Sequence, residues 1–301
     1  MKKLHLFACE FTSMGSPCEL QIYTTDNSHF QNVAQNVIHE MVRLEKKYSR
    51  YRDESFLSEI NRCAAKGEAI EVDAETAHLL NYAVTCYEQS DGLFDITSGA
   101  LRQLWKFNAT KPSLPKQDEI NALLTFIGWE KVQWKSPILR FSIAGMELDF
   151  GGIVKEYAAD RAGAMCAAMG IKHGIINLGG DIKIIGGHPD SSPWNIGIRD
   201  PRNKNDVSSV VQLTTGAMAS SGDYERCIDI AGKRYGHILN PKTGFPVQHF
   251  ASITVISDFC VLAGSASTIA MLKEKEGEEW LDLLGLPYQW IDVNGLVGGN
   301  L

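Results

Sequence analysis

Two glycine-bearing stretches, Met146-Glu-Leu-Asp-Phe-Gly-Gly152 and Gly174-Ile-Ile-Asn-Leu-Gly-Gly-Asp181, decide the fold class of this chain. The first predicts a strand over Met146–Phe150 that the two glycines end. The second predicts a strand over Gly174–Leu178, a glycine turn and a return strand. Between them, apolar residues recur at helical spacing before a terminal glycine: Ala158, Ala162, Met165, Met169 and Gly170. Strand, helix and strand-turn-strand in this order predict a mixed α+β sheet.

Hydrophobic periodicity predicts further elements on both sides of this region. Strands are predicted at Glu19–Tyr23, Trp194–Ile198, Tyr235–Leu239 and Ser252–Ile256, the last three as extensions of the sheet. Helices are predicted from Asn32 to about Lys46, after an N-cap at Asp73, and from about Leu262 to Leu272. The stretch 108–117 contains two prolines and is predicted to be a surface connection.

The composition is that of an ordinary globular protein and excludes several classes of function. The 301 residues are 44% hydrophobic and 22% charged, with a formal net charge of −7. No basic run stands out to neutralise phosphates, so we expect no nucleic-acid partner. No apolar run approaches the ~20 residues that span a bilayer, and the apolar patch at Leu6 is too short for a signal peptide. The seven cysteines are dispersed without a C-x-x-C pair, which favours reduced thiols in a cytoplasmic protein.

The sequence Asp149-Phe-Gly-Gly-Ile-Val-Lys155 is a candidate phosphate site. A glycine turn lets the backbone approach a phosphate closely, and the free N–H groups and dipole of a helix start favour an anion. Lys155 adds a positive charge. The alternative is a tight strand-to-helix turn with a solvated lysine.

Three more stretches carry polar or aromatic groups, each with a structural alternative. Asn177–Asp181 is a second glycine turn, or a hairpin that Asp181 braces. Asp95 and Thr97 face the same way if their segment is extended, or they are hydrogen-bonded at a strand end. Tyr48-Ser-Arg-Tyr51 offers rings that stack on a planar ligand, or that pack on a helix flank.

The densest polarity lies in Ser220-Ser-Gly-Asp-Tyr-Glu-Arg226 and in Gly236-His-Ile-Leu-Asn-Pro-Lys-Thr-Gly244. A core does not need so many charged residues close together, whereas a nucleotide site does. A lone histidine on an apolar strand is more often structural. His237, however, stands near Lys233, Arg234 and Lys242, which favours a charged ligand.

Taken together and in this order, the motifs resemble the ApbE family of FAD:protein FMN transferases, from Met14 to about Leu272. The matching elements are the tyrosine-containing segment up to Asn61, Gly92–Thr97, Asp149–Lys155, Asn177–Asp181, Ser221–Tyr224 and His237–Gly244. Each element is unspecific alone, but together in the right order they are strongly specific.

The resemblance implies an α+β fold with a mixed, largely antiparallel sheet, flanking helices and a two-lobed, T-fold-like architecture. It implies one domain over residues 1–301, with lobes at about 10–145 and 146–301. It also implies FAD as the donor, and Mg²⁺-assisted transfer of FMN to a Thr hydroxyl of an acceptor protein with release of AMP.

The resemblance also assigns roles to individual residues. The implied FAD-binding residues are Met14, Tyr51, Phe94, Asp95, Thr97, Gly152, Lys155, Gly179, Gly180, Asp181, Ser221, Gly222 and His237. Lys155 and His237 are the implied catalytic residues, with His237 as a base or a transient nucleophile.

Three residues depart from the family pattern. The family's metal site uses an Asp and a Thr four residues later on one helix face, but here Gly264 stands at the Asp position while Thr268 is present. Glu156 stands where the family commonly has Gly, and Asn240 where it commonly has Asp.

Because glycine has no ligand atom, the expected Mg²⁺ ligands are Thr268 and the backbone of Gly152, with Glu156 or Asp223 as alternative carboxylates. We expect Mg²⁺ to bind mainly when FAD is present, and Gly264→Asp to tighten it if the helix admits the side chain. Two other functions stay open at this point: an FAD-binding protein without efficient catalysis, and an FAD diphosphatase.

Overall fold

The structure of the protein is a computed structural model, which describes residues 3–107, 112–203 and 206–301. The helices are α1 (Asn27–Tyr48), α2 (Phe56–Lys66), α3 (Ala74–Gln89), α4 (Gln117–Leu124), α5 (Val154–Ala168), α6 (Cys260–Lys273) and α7 (Gly277–Leu284). The strands are β1 (His5–Ser13), β2 (Ser16–Thr24), β3 (Ala69–Glu71), β4 (Val132–Lys135), β5 (Ile138–Phe141), β6 (Gly174–Leu178), β7 (Asp181–Gly186), β8 (Trp194–Arg199), β9 (Val207–Leu213), β10 (Ala217–Gly222), β11 (Cys227–Ile230), β12 (Lys233–Gly236), β13 (Phe250–Ser257), β14 (Tyr288–Asp292) and β15 (Val297–Gly299). Within the described ranges, no helix is both long and apolar enough to cross a bilayer.

One large sheet organises the molecule. Its strand order is β1-β2-β6-β7-β10-β13-β14-β15, and every pair in it is antiparallel. Leu20 of β2 stands opposite Ile176 of β6, and Ser221 of β10 stands opposite Ile253 of β13. The prediction of an α+β fold with a largely antiparallel sheet is therefore confirmed.

Three helices cover one face of this sheet. α1 packs beside α5, and α5 packs beside α6, so the three lie in one layer. Side chains at helical spacing on α1, such as Val37 and Met41, are fully buried against strand residues such as Leu20 and Ile22. Burying a side chain of this size stabilises the fold by about 1.5–3 kcal/mol.

The β8–β9 hairpin covers the other face. Trp194, Ile196 and Ile198 alternate toward a second apolar cluster that includes Ile184 of β7 and Met218 of β10. The sheet is thus buried on both faces where β7 and β10 run. This explains the apolar character of its central strands.

A smaller sheet with the order β3-β5-β4 lies outside the large one. β1 and β2, from the first part of the chain, pair into the large sheet through β6. The implied lobes at about 10–145 and 146–301 therefore share one sheet, and their boundary stays a prediction.

Several predicted elements are confirmed with small changes in length. β6 has the predicted bounds, and α1 contains the predicted helix and extends five residues before it, from Asn27. Asp73 caps α3, because its Oδ1 accepts a hydrogen bond of 2.9 Å from Thr76 N. The predicted connection 108–117 lies partly outside the described residues, and α4 begins at its end.

The predicted strand Met146–Phe150 is wrong. Only Glu147 makes a bridge, and its partner is Ser98. Asn61 accepts a hydrogen bond from Leu148 N at 2.7 Å and donates one to Leu148 O at 3.0 Å. A side chain therefore supplies the hydrogen bonds that a neighbouring strand would have supplied.

Two other predicted strands do not extend the large sheet. β8 exists where Trp194–Ile198 was predicted, but it pairs with β9 alone. In the stretch Tyr235–Leu239 the strand ends at Gly236 and pairs with β11, while Leu239 bridges to Pro246.

Candidate functional site

A cleft of about 1390 Å³ opens where α1, α5, the β6–β7 turn, β10 and the segment after β12 meet. This exceeds the ~300–1,000 Å³ of most small-molecule sites and suits an extended ligand. The predicted site residues that line the cleft are Met14, Tyr51, Phe94, Asp95, Gly152, Lys155, Gly179, Gly180, Ser221, Gly222, His237 and Thr268. Thr97, Asp181 and Gly264 lie outside this lining.

The β6–β7 turn is a hairpin that also forms a wall of the cleft. Gly179 has φ of +64°, and a Cβ on it would lie 2.6 Å from Ser16 Cβ. Only glycine lets the β1–β2 turn approach so closely. Asn177 Oδ1 accepts a hydrogen bond of 2.7 Å from Gly180 N and fixes the turn.

Lys155, near the start of α5, pairs with a carboxylate behind the wall. Its Nζ lies 2.8 Å from Asp181 Oδ2, and the Asp181 side chain is 2% exposed. Burial opposes the charge of Lys155, but the negative charges of Asp181 and Glu156 raise its pKa above the usual value. Lys155 is therefore a fixed cation rather than a solvated lysine.

The residue next to Lys155 fills the space beside Gly264. A Cβ on Gly264 would lie 2.4 Å from Glu156 Cγ and 3.0 Å from Glu156 Oε1. Glu156 is buried, and its Oε2 has no hydrogen-bond partner among the described residues. Burial, together with the negative charge of Asp181, raises the pKa of Glu156 to about 8 against the effect of Lys155. The condition attached to Gly264→Asp, that α6 admits the side chain, is not met with Glu156 in its present position, because Glu156 occupies the volume.

Asp223, the other carboxylate considered as a metal ligand, is paired with an arginine instead. Both of its oxygens accept hydrogen bonds from Arg202, at 2.6 Å and 2.8 Å. It is buried and does not line the cleft. Of the two carboxylates proposed from the sequence, only Glu156 reaches the site.

A row of hydroxyls connects β10 and α6. Ser221 Oγ lies 2.8 Å from Ser267 Oγ and 2.8 Å from Thr268 Oγ1. Ser267 Oγ donates in turn to Gly264 O at 2.9 Å. Within the described ranges, no three His, Cys, Asp or Glu side chains form a ready metal cluster.

Arginines that the sequence interpretation left unassigned form the cationic side of the cleft. Arg50 Nη1 and Arg102 Nη2 lie 2.7 Å and 2.9 Å from Asp149 Oδ2. Burial opposes the charge of Asp149, but Arg102 and Arg50 hold the pKa of its carboxyl below the usual range. The signal in the sequence was weak, because Arg50 and Asp149 are ninety-nine residues apart.

His237 faces these cations, and not Lys233 or Lys242 as its sequence neighbours indicated. Burial lowers its pKa to about 4, with further contributions from the positive charges of Arg102, Arg226 and Lys155. Its Nδ1 is buried and has no hydrogen-bond partner in the described part of the chain. The imidazole is therefore neutral at pH 7 and free to accept a proton.

Asp95 and Thr97 hydrogen-bond to each other, which is the structural alternative considered for this pair. Asp95 Oδ1 accepts hydrogen bonds from Thr97 N at 2.8 Å and Thr97 Oγ1 at 2.7 Å. Thr97 Oγ1 also accepts from Gly128 N at 2.8 Å. This pair holds the segment that presents Phe94 to the cleft, where Phe94 packs within 3.3 Å of the Cβ position of Gly152.

The two tyrosines at the end of α1 differ: Tyr48 packs in the protein interior, and Tyr51 is exposed. Tyr48 is buried, packs edge-on against Phe150 and hydrogen-bonds Thr76 Oγ1 at 2.9 Å. Tyr51 is 74% exposed at the rim of the cleft, with Arg50 over its ring. Tyr51 is thus the ring available for stacking.

Comparison with known proteins gives consistent matches. A model described as the ApbE family matches residues 14–288. The chain is 34% identical over 224 residues to an FAD:protein FMN transferase of Rhodobacter capsulatus, covering 73% of this chain and 42% of that protein. It is 29% identical over 231 residues to an FAD:protein FMN transferase of Haemophilus influenzae, covering 74% of this chain and 67% of that protein. The chain thus spans less than half of the first relative and about two thirds of the second.

Solved structures agree with the fold. An ApbE protein from Thermotoga maritima superposes with a TM-score of 0.90 at 30% identity, covering 98% of this chain and 97% of that one. The apo form of a flavinyl transferase ApbE from Pseudomonas stutzeri superposes with a TM-score of 0.88 at 26% identity, covering 99% and 95%.

Proposed function

This chain belongs to the ApbE family, and we propose that it transfers the FMN part of FAD to a Thr hydroxyl of an acceptor protein, with release of AMP. The observation that carries the proposal is His237, whose buried Nδ1 has no hydrogen-bond partner among the described residues, beside a cluster of fixed cations in one long cleft. The relatives named for FMN transfer support the same activity.

The cations give the cleft the means to hold a diphosphate. Lys155 stands at the glycine turn of α5, and Arg102 and Arg226 stand near His237. Lysine acts on phosphate as a point charge, whereas arginine binds two oxygens at once. We propose that this group holds the diphosphate of FAD and that Tyr51 stacks on one of its rings.

We propose that His237 takes up the proton of the transfer. In the proposed step the Thr oxygen bonds to the FMN phosphorus, and the bond from that phosphorus to the AMP oxygen breaks. The Thr proton passes to His237, and AMP leaves as its phosphate anion. His237 is deprotonated at neutral pH, and the negative charge of a bound diphosphate would raise its lowered pKa toward the range that suits a general base.

The residues present fit a magnesium ion beside the diphosphate. Mg²⁺ in phosphate sites is held by one or two carboxylates, with phosphate oxygens and waters completing its shell. Glu156 offers a buried oxygen that has no hydrogen-bond partner within the described ranges, and Thr268 lines the same cleft. When bound, the ion would supply positive charge to the diphosphate oxygens. The backbone of Gly152 stays a candidate ligand.

We also propose a cytoplasmic acceptor protein. The support is the distribution of the seven cysteines, which are unpaired and of which four are buried. Buried free thiols suit a reducing compartment.

The function is tested with purified protein, FAD and an acceptor domain that carries a flavinylatable Thr. We expect covalent flavin on the acceptor, detected by in-gel fluorescence, and equimolar AMP. The matched control is the acceptor with that Thr changed to Ala, which must stay unlabelled. AMP released at the same rate with the Ala acceptor, without labelling of the Thr acceptor, would instead make the protein a diphosphatase.

A further inference from the structure

We infer that Glu156 on α5 supplies the carboxylate ligand of a divalent cation at this site, in the space that Gly264 on α6 leaves open. The inference rests on the proposed function, to which it adds a specific metal-binding residue. Space, helix geometry and charge each support it.

The space beside α6 accommodates one carboxylate-bearing side chain and no more. A Cβ on Gly264 would overlap Glu156 Cγ at 2.4 Å and press on Glu156 Cδ at 3.0 Å. Contacts below about 3 Å between such carbons require one group to move. A side chain at position 264 and the observed position of the Glu156 side chain therefore exclude each other, so that one of the two must move. Positions 156 and 264 are therefore coupled, and in this chain the carboxyl group is that of Glu156 on α5.

The helix geometry aims Glu156 at α6. Asp160 lies four residues after Glu156 and thus on the same face of α5. Asp160 accepts hydrogen bonds from Cys260 N at 2.8 Å and Val261 N at 2.9 Å, which fixes the start of α6 against this face. Thr268 lies four residues after Gly264 on α6 and lines the cleft with Glu156. The carboxylate and the hydroxyl therefore face the same opening.

The buried acidic side chains of the site leave one carboxyl oxygen that a cation would satisfy. Two buried carboxylates, Glu156 and Asp181, share the single lysine Lys155, whose Nζ contacts Asp181. Glu156 Oε2 is left without a partner in the described residues although it is buried. A buried carboxylate oxygen without a partner is costly, and native proteins resolve it with a hydrogen bond or a metal. A hard dication that enters with the diphosphate satisfies Glu156 and keeps Lys155 on Asp181.

The test measures metal binding directly, with Mn²⁺ as the probe and its free-ion electron paramagnetic resonance signal as the readout. Glu156→Gln keeps the volume and removes the charge. Glu279→Gln on α7 removes the same charge from an exposed residue outside the cleft and serves as the matched control. Binding is titrated for the whole protein with saturating FAD, and FAD affinity is measured separately without metal.

We expect Glu156→Gln to weaken Mn²⁺ binding by about tenfold or more, because one of few anionic ligands is lost. Glu279→Gln should leave the affinity unchanged. Gly264→Asp alone should also weaken Mn²⁺ binding because it collides with Glu156, whereas the double variant Glu156→Gly with Gly264→Asp should regain it. Wild-type Mn²⁺ affinity in folded Glu156→Gln overturns the inference, whatever the double variant does.

The result is separable from the proposed function. Loss of Mn²⁺ affinity in Glu156→Gln, in a protein that binds FAD but labels no acceptor, supports the metal ligand and counts against FMN transfer. Normal labelling by wild type together with unchanged Mn²⁺ binding in the variant supports FMN transfer and removes Glu156 from the metal site.

Discussion

Lys155 Nζ lies 2.8 Å from Asp181 Oδ2, across the junction between the start of α5 and the β6–β7 turn. The Lys155 side chain is 28% exposed and the Asp181 side chain is 2% exposed, so solvent reaches the lysine but not the carboxylate. The buried carboxylate holds the ammonium group in place, and the solvent-exposed side of the ammonium group remains available to an anion. The contact thus combines a role in stability with the proposed role of Lys155 in binding the ligand.

Lys155→Met is predicted to destabilise the protein by about 2–4 kcal/mol, because it leaves Asp181 buried without its cation. FAD affinity should fall as well. In Lys155→Met with Asp181→Asn, stability should largely return because the uncompensated charge is gone, but FAD affinity should not. Urea unfolding and FAD titration measure the two effects. Recovery of both in the double variant would show that Lys155 does not bind the ligand.

His237→Ala is predicted to lower transfer by about 10²–10⁴-fold while FAD affinity changes little. The reason is that His237 offers a neutral ring nitrogen to a proton rather than a charge to the phosphates. Rates of acceptor labelling and equilibrium FAD binding separate the two roles. Unchanged labelling would make His237 a structural residue.

Arg102→Gln is predicted to raise the pKa of His237 above about 4, since the positive charge of Arg102 is one of the causes that lower it. FAD binding should raise it for the same reason, because the diphosphate neutralises the cations. Titration of the histidine ring resonances by NMR reads both shifts, with His5 and His78 as internal references. An unchanged His237 pKa in the variant would contradict the assignment.

His237 also predicts a pH dependence of stability. Its pKa falls from 6.5 to about 4 on folding, so the unfolded chain binds more protons between those values. Its contribution, about 3 kcal/mol, is complete above pH 6.5 and is lost as the pH falls toward 4. The free energy of unfolding of wild type minus that of His237→Ala, measured from pH 3.5 to 7.5, should rise by this amount. A flat difference would show that the folded pKa is not depressed.

Asp160→Ala is predicted to cost about 1–2 kcal/mol, because two backbone N–H groups at the start of α6 lose their acceptor. Asp258→Ala removes a charge close to the same helix end without removing those hydrogen bonds, and it should cost much less. Thermal unfolding of the two variants gives the comparison.

Local patterns were sufficient for much of the fold. The period of α1 and α5, the strand β6 and the cap at Asp73 depend on neighbours within a few residues, and all were predictable. The irregular backbone of Met146–Phe150 was not, because its hydrogen bonds go to Asn61 and Ile96, which are distant in the sequence. A pattern of apolar residues does not show which group will form hydrogen bonds with the backbone N–H and C=O groups.

The candidate site divides in the same way. Its glycine turns, Lys155 and His237 stand in short motifs and were found from the sequence. Arg102 has no motif, and its place opposite Asp149 is visible only in three dimensions. Glu156 and Gly264 were each noticed as departures, but their relation needed the distance between α5 and α6.

The order of strands in the large sheet has a consequence for how the protein is made. A nascent chain that ends near residue 245 already contains both glycine turns of the candidate site, Lys155 and His237, yet it lacks β13 and α6. Without them β10 has no partner on its far side and Ser221 has no Thr268. The proposed flavin site therefore forms only after α6 has left the ribosome, and FAD can act as a folding ligand only from that point on.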